Sequence, residues 1–151
     1  MAISSAICNT FKQQLLESKH DFASGGDTFK IALYTSSATL GASTTNYSAT
    51  NEITNTSGSA YTAGGETLTG QSVTGGSGAS TAFVDFTDAQ WTSASFTANG
   101  ALIYNTTTDG GSGTTDAVCV LAFGGDFTAS NGTFTVQFPA ANTSDAIIRI
   151  S

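Results

Sequence analysis

A chain of 151 residues suffices for one domain that buries roughly two-thirds of its unfolded surface. Only 10% of the residues are charged, the net charge is −7, and no Lys or Arg lies between residues 31 and 148. Affinity for phosphate backbones and anionic headgroups rests largely on such cations, so nucleic acid and membrane are excluded as expected partners.

Residues 3–19 read as the single helix. Ile3, Ile7, Phe11 and Leu15 recur every four residues, with Ala6 and Leu16 beside them, which makes one apolar stripe. Ser4 or Ser5 is the expected cap, and Lys12 and Lys19 face away from the stripe. His20 follows as the only histidine and is expected to stand in solvent at the helix end, with no catalytic partner beside it.

From Phe29 the period becomes two. "FKIALY", 29–34, reads as a buried strand. A long loop, 36–65, follows; it carries few large apolar residues and no charge until Glu52. A weaker strand is centred on Leu68, and "TAFVDF", 81–86, is a stronger one. "ASFTANGALIYN", 94–105, "AVCVLAF", 117–123, "FTVQFP", 134–139, and "AIIRIS", 146–151, complete the set. Turns are expected at Gly64-Gly65, Gly75-Gly76, Gly110-Gly111, Gly124-Gly125 and Asn131-Gly132. The expected fold is mainly β: a single-domain antiparallel β-sandwich or jelly-roll-like fold over 28–151, with one N-terminal α-helix. Ten Phe, four Tyr and one Trp supply its core.

The sequence carries little chemistry. Cys8 and Cys119 are too few for a disulfide framework; two buried free thiols are expected, with pairing as the alternative. Asp85 and Asp88 flank a strand end and suit turns and caps better than acid–base catalysis or calcium binding. The loop "TDGGSGTTD", 108–116, lacks the spacing of known calcium loops. Trp91 suits either the end of a sandwich core or a sugar platform. No enzyme, cofactor or metal is expected. A function of contact is expected instead. Its candidate residues are Leu40, Tyr47, Ile53 and Tyr61 in the 36–65 loop, which reads as an arm onto a neighbouring subunit or as a cover on its own domain. Met1 and Ile3 at the N-terminus and the C-terminal strand are further candidates.

Five strings add a resemblance. "MAISSAICNTFKQQLLESKHDF", "DTFKIALYTSSATLGASTTNYSATNEI", "AYTAGGETLTG", "VDFTDAQWTSASFTANGALIYN" and "FTVQFPAANTSDAIIRIS" span almost the whole chain. In that order they resemble small virion structural proteins of tailed bacteriophages. The resemblance implies a part of the phage particle with no activity and no cofactor. The preferred expectation is a decoration, or cement, protein on the outer capsid surface. Its expected partner is the major capsid protein, bound by a homo-oligomer, with a trimer favoured by the threefold axes of shells. A tail, neck or baseplate component is the alternative, and a virion-borne carbohydrate-binding module the second. The N-terminus lacks a signal peptide's basic and apolar regions, so synthesis in the host cytoplasm is expected.

Overall fold

A computed structural model describes residues 2–108 and 114–151. The chain is mainly β, 43% strand against 6% helix, so its core is built by sheets and not by the helix. The elements are β1 (Ala6–Ile7), α1 (Asn9–Leu16), β2 (Phe29–Tyr34), β3 (Glu66–Thr67), β4 (Ser72–Thr74), β5 (Ala82–Asp85), β6 (Ala89–Asn105), β7 (Asp116–Val136) and β8 (Ile148–Ile150). They form a five-stranded antiparallel sheet ordered β1-β7-β6-β2-β3 and a three-stranded antiparallel sheet ordered β4-β5-β8. One apolar cluster joins the two, as in a small β-sandwich. Aromatic rings bridge them: Phe22 stacks on Phe29 of β2 at 4.4 Å, and Phe86, just past β5, meets both rings edge-on.

The helix is half the expected length. Residues 3–7 are extended: Ala6 and Ile7 pair with Val120 and Cys119 of β7, and Ile3 bridges Leu40. The apolar spacing could not separate the two forms, because a step of four residues is one helical turn and also two strand repeats. Sheet hydrogen bonds decide for the strand. The cap also moves. Cys8 holds the N-cap position without a side-chain bond, while Ser5 Oγ accepts the N–H of Ala122 on β7. Beyond residue 8 the stripe holds, with Phe11 buried and Leu15 half-buried.

β6 and β7 are a long hairpin whose ladder is interrupted by bulges. Ser93 has φ 53° and lies in the step between Trp91↔Phe134 and Ala94↔Gly132. This extra residue shifts the alternation by one. Trp91, Phe96 and Ala98 are thereby all buried, although 91 and 96 differ in parity. On β7, Asn131 has φ 50° and is the extra residue opposite Ala94 and Ser95. Residues 123–126 stand opposite Asn99 alone, with Gly124 at φ 81°. The expected turns at Gly124-Gly125 and Asn131-Gly132 are therefore bulges inside one strand. The expected strands 117–123 and 134–139 are parts of β7, which ends at Val136, ahead of Pro139. The physical reason is β6. Its 17 residues give β7 a continuous partner, so the glycines bend the strand without ending it. Leu68 is buried between β3 and β4, its N–H held by the carbonyl of Phe29. Gly110-Gly111 lies outside the described residues.

Candidate functional site

The 36–65 segment is built back onto its own sheet. The N–H of Thr35 reaches the carbonyl of Asn51, and the N–H of Ile53 reaches that of Leu33, so residues 51–53 run along the outer edge of β2. Farther out, Asn46 bridges Asp116, the N–H of Tyr47 donates to Thr115, and that of Ala117 donates to Thr45. Leu40 exchanges backbone bonds with Ala2 and Ser4 on either side of Ile3. Such pairing accounts for backbone groups that a free arm would leave to water.

Glu52 fastens the segment. Its carboxylate is buried and accepts three bonds: from the Tyr47 hydroxyl at 2.6 Å, the Tyr61 hydroxyl at 2.7 Å and the Gly64 N–H at 2.7 Å. The Tyr61 oxygen also accepts the N–H of Leu33. Tyr34 donates to the carbonyl of Ser48 and Tyr104 to that of Gly64, and the Tyr47 and Tyr104 rings stack at 4.7 Å. All four tyrosines of the chain thus fasten this segment, two through Glu52 and two through its backbone carbonyls. Among the described residues the only ion pair within 4.0 Å is Lys19–Glu17, so hydrogen bonds and not a cation hold the Glu52 carboxylate. Burial, reinforced by the Glu52 charge, raises the hydroxyls of Tyr34, Tyr47 and Tyr61 well above the ordinary tyrosine value, and that of Tyr104 to about 12. They remain protonated donors.

Of the contact candidates, Ile53 and Tyr61 lie in the chain's own core. They anchor the loop to its own domain. Leu40, Tyr47 and Ile3 are half-buried and pack against that core; the Ile3 side chain lies over Gly100. Met1 lies outside the described residues. No sequence pattern marked Glu52 as the hub, because its four tyrosine neighbours are spread from residue 34 to residue 104. The one available signal was a lone carboxylate inside a long uncharged run.

His20 is buried, not exposed; only 8% of its surface meets solvent. The chain folds it beneath α1, 4.8 Å from the Phe11 ring. Nε2 lies 2.9 Å from Gln14 Oε1 and Nδ1 lies 3.0 Å from Asn105 Nδ2. These partners suit a neutral imidazole protonated on Nε2. Asn105 also donates to Asp27 Oδ2. Burial lowers the His20 pKa below its ordinary 6.5, opposed in part by the charges of Asp116 and Asp27. The unfolded chain therefore takes up a proton that the folded chain resists. The stability contributed by His20 is complete above 6.5 and declines as the pH falls toward the lower folded value. In urea titrations at ~pH 7.5 and ~pH 5.5, the native chain is expected to lose more stability on acidification than His20→Gln. Equal losses would remove His20 as the source.

The remaining candidates are structural. Asp88 accepts the N–H of Phe138, which ties down the chain after β7, and Asp85 sits in β5 opposite Ser72. Trp91 is 2% exposed and packed by Tyr61, Phe96 and Phe134, so it closes the core and offers no sugar platform. Cys8 and Cys119 are free and buried, which raises their thiols to about 11 and about 12. Among the described residues no three His, Cys, Asp or Glu side chains converge on a point. No described helix is long and apolar enough to cross a membrane. Residues 109–113 of the 108–116 loop lie outside the described residues.

Two concavities stand out among the described residues. One, of about 410 Å³, lies between α1 and the inner face of the small sheet. Phe11, Leu15, Phe22, Val73, Val84, Ile148 and Ile150 line it. The other, of about 380 Å³, is an open hollow along β7 lined by Phe123, Phe127 and Phe134. The fold defines a mainly β, two-sheet domain with a tyrosine-clasped loop. No family model, curated protein or solved structure matches the chain.

Proposed function

We propose that this chain is a non-enzymatic structural component of a tailed-phage particle: a decoration protein on the outside of the head that bridges major capsid subunits. The observation that carries the reading is the run of virion-protein-like strings along the whole chain. Other features support it. A surface without Lys or Arg from residue 31 to 148 suits the outside of a shell better than its DNA-facing side. The only histidine is held on both ring nitrogens inside the fold, and the only tryptophan is packed away. Preferential binding to the expanded lattice would stabilise the mature head, and an oligomer touching several subunits gains avidity from modest contacts.

The test is stoichiometry against the major capsid protein on purified particles. Copies on the order of hundreds per head are expected from shell symmetry. A count of roughly six to a few dozen would assign the chain to the neck or baseplate instead.

A further inference from the structure

Asn105, at the end of β6, is wholly buried, and both its amide hydrogens and its oxygen are engaged. Nδ2 has two partners, His20 Nδ1 at 3.0 Å and Asp27 Oδ2 at 2.8 Å. Oδ1 accepts the Thr107 N–H at 2.8 Å. The amide therefore cannot turn over. A half-turn would set its NH2 against the Thr107 N–H and its oxygen against the Asp27 carboxylate. Asp27 in turn closes the 20–27 loop. Its Oδ2 accepts the N–H of Asp21, and its own N–H donates to the Asp21 carbonyl. From the β3–β4 connection, Gln71 donates to the carbonyls of Ala23 and Asp27. Of these holding groups, only His20 ordinarily changes charge between about pH 5 and 8.

The neutral imidazole fits this frame in one tautomer. Nε2–H donates to Gln14 Oε1, and Nδ1 accepts from Asn105. A second proton, on Nδ1, would point at the Asn105 N–H, donor against donor. Nothing else around the ring offers Nδ1 a ready acceptor. α1 presents Phe11 and Gln14, both uncharged, and the small sheet lines the shared cleft with apolar side chains only. The neighbouring Lys19 is paired with Glu17, and Asp21 Oδ1 accepts the N–H of Ala23. Asp27 and Asp116 attract an imidazolium, but burial outweighs them.

We propose that His20 and Asn105 form an acid-released latch: the neutral imidazole holds the 20–27 loop and the end of α1 against β6, and its protonation lets them go while both sheets stay folded. The latch does not depend on the phage reading. It is closed above 6.5 and opens as the pH falls toward the lower folded value. Opening separates the imidazole from the Phe11 and Phe22 rings that flank it at 4.8 and 6.4 Å.

Hydrogen exchange on the full native chain, expressed as protection factors, reads the latch directly. Between ~pH 7.5 and ~pH 5, amides of residues 19–27 are expected to lose ~10-fold or more of their protection, while those of β2 and the paired residues of β6 and β7 keep theirs. His20→Gln cannot take up the proton and is expected to show no such local loss. Nitrogen NMR of the native chain at ~pH 7.5 is expected to place the His20 proton on Nε2. Asn105→Asp puts an acceptor opposite Nδ1, and the His20 titration midpoint is expected to rise by about one pH unit or more. Should that variant not fold, the exchange and NMR measurements on the native chain decide alone. A proton on Nδ1 at neutral pH, a native midpoint at or above 6.5, protection lost evenly over all strands, the same local loss in His20→Gln, or an unchanged midpoint in folded Asn105→Asp would each overturn the latch.

Discussion

Glu52→Ala is expected to lower the free energy of unfolding by ~3–5 kcal/mol. The substitution removes the acceptor for three donors: the hydroxyls of Tyr47 and Tyr61 and the N–H of Gly64. Each buried donor left without a partner costs about 1–3 kcal/mol, and Tyr47, being half-buried, recovers part of its share from water. Glu52→Gln keeps the shape and one carbonyl acceptor, and its amide has a tyrosine oxygen to donate to. Its expected cost is smaller, ~1–2 kcal/mol. Urea titration gives the difference, with an unchanged slope showing that the change lies in the folded state. Hydrogen exchange locates it: amides of residues 47–64 are expected to exchange faster in Glu52→Ala than those of β6 and β7. Equal losses for the Ala and Gln variants would mean that the hydrogen-bonded carboxylate is not the fastener.

Gly65→Ala is expected to be at least as damaging, ~4 kcal/mol or more, or to prevent folding. Gly65 has φ 76°, and a Cβ there would overlap the carbonyl oxygen of Ile31 and lie 2.8 Å from Cα of Ala32. Those are backbone atoms of β2, which is paired with β6 on one edge and β3 on the other, so the strand cannot move aside. Gly64→Ala is the control. Its φ of 90° is also strained, but the nearest atoms to the new methyl are the Tyr104 hydroxyl at 3.4 Å and Lys30 Nζ at 3.5 Å. Both distances are ordinary van der Waals contacts, so only the backbone strain is felt, and the expected cost is ~1–2 kcal/mol. Thermal unfolding of the two variants side by side reads the contrast. Similar melting temperatures for both would show that the turn relaxes away from β2.

The two substitutions act on one feature. The Gly64-Gly65 turn brings the chain against β2, and the Gly64 N–H then points at Glu52. "YTAGG" thus carries both a backbone fit and a donor, and the fit is the part a sequence reader recognises. Positive φ at glycine is a local property, so the turn was legible. The carboxylate it faces was not, because that meeting depends on the path of a thirty-residue loop.

Features that are local or periodic were legible from the residues alone. Alternation at Phe29–Tyr34 defined β2, the apolar run at 117–123 marked a strand at the centre of a sheet, and the thiols read as buried. The mainly β class followed from composition and turn spacing. Tertiary structure decided wherever two local forms fit one pattern. Ala6 and Ile7 became strand because β7 supplied hydrogen bonds at Cys119 and Val120. Gly124-Gly125 became a bulge because β6 continued beneath it. His20 went inside because Gln14 and Asn105 satisfied both of its ring nitrogens there. The 36–65 loop lay down on its own sheet because one buried acid found two tyrosine hydroxyls and the Gly64 N–H. In each case the deciding partner is remote in sequence or hidden by an ambiguous period, and hydrogen-bond satisfaction in a desolvated interior selects the form.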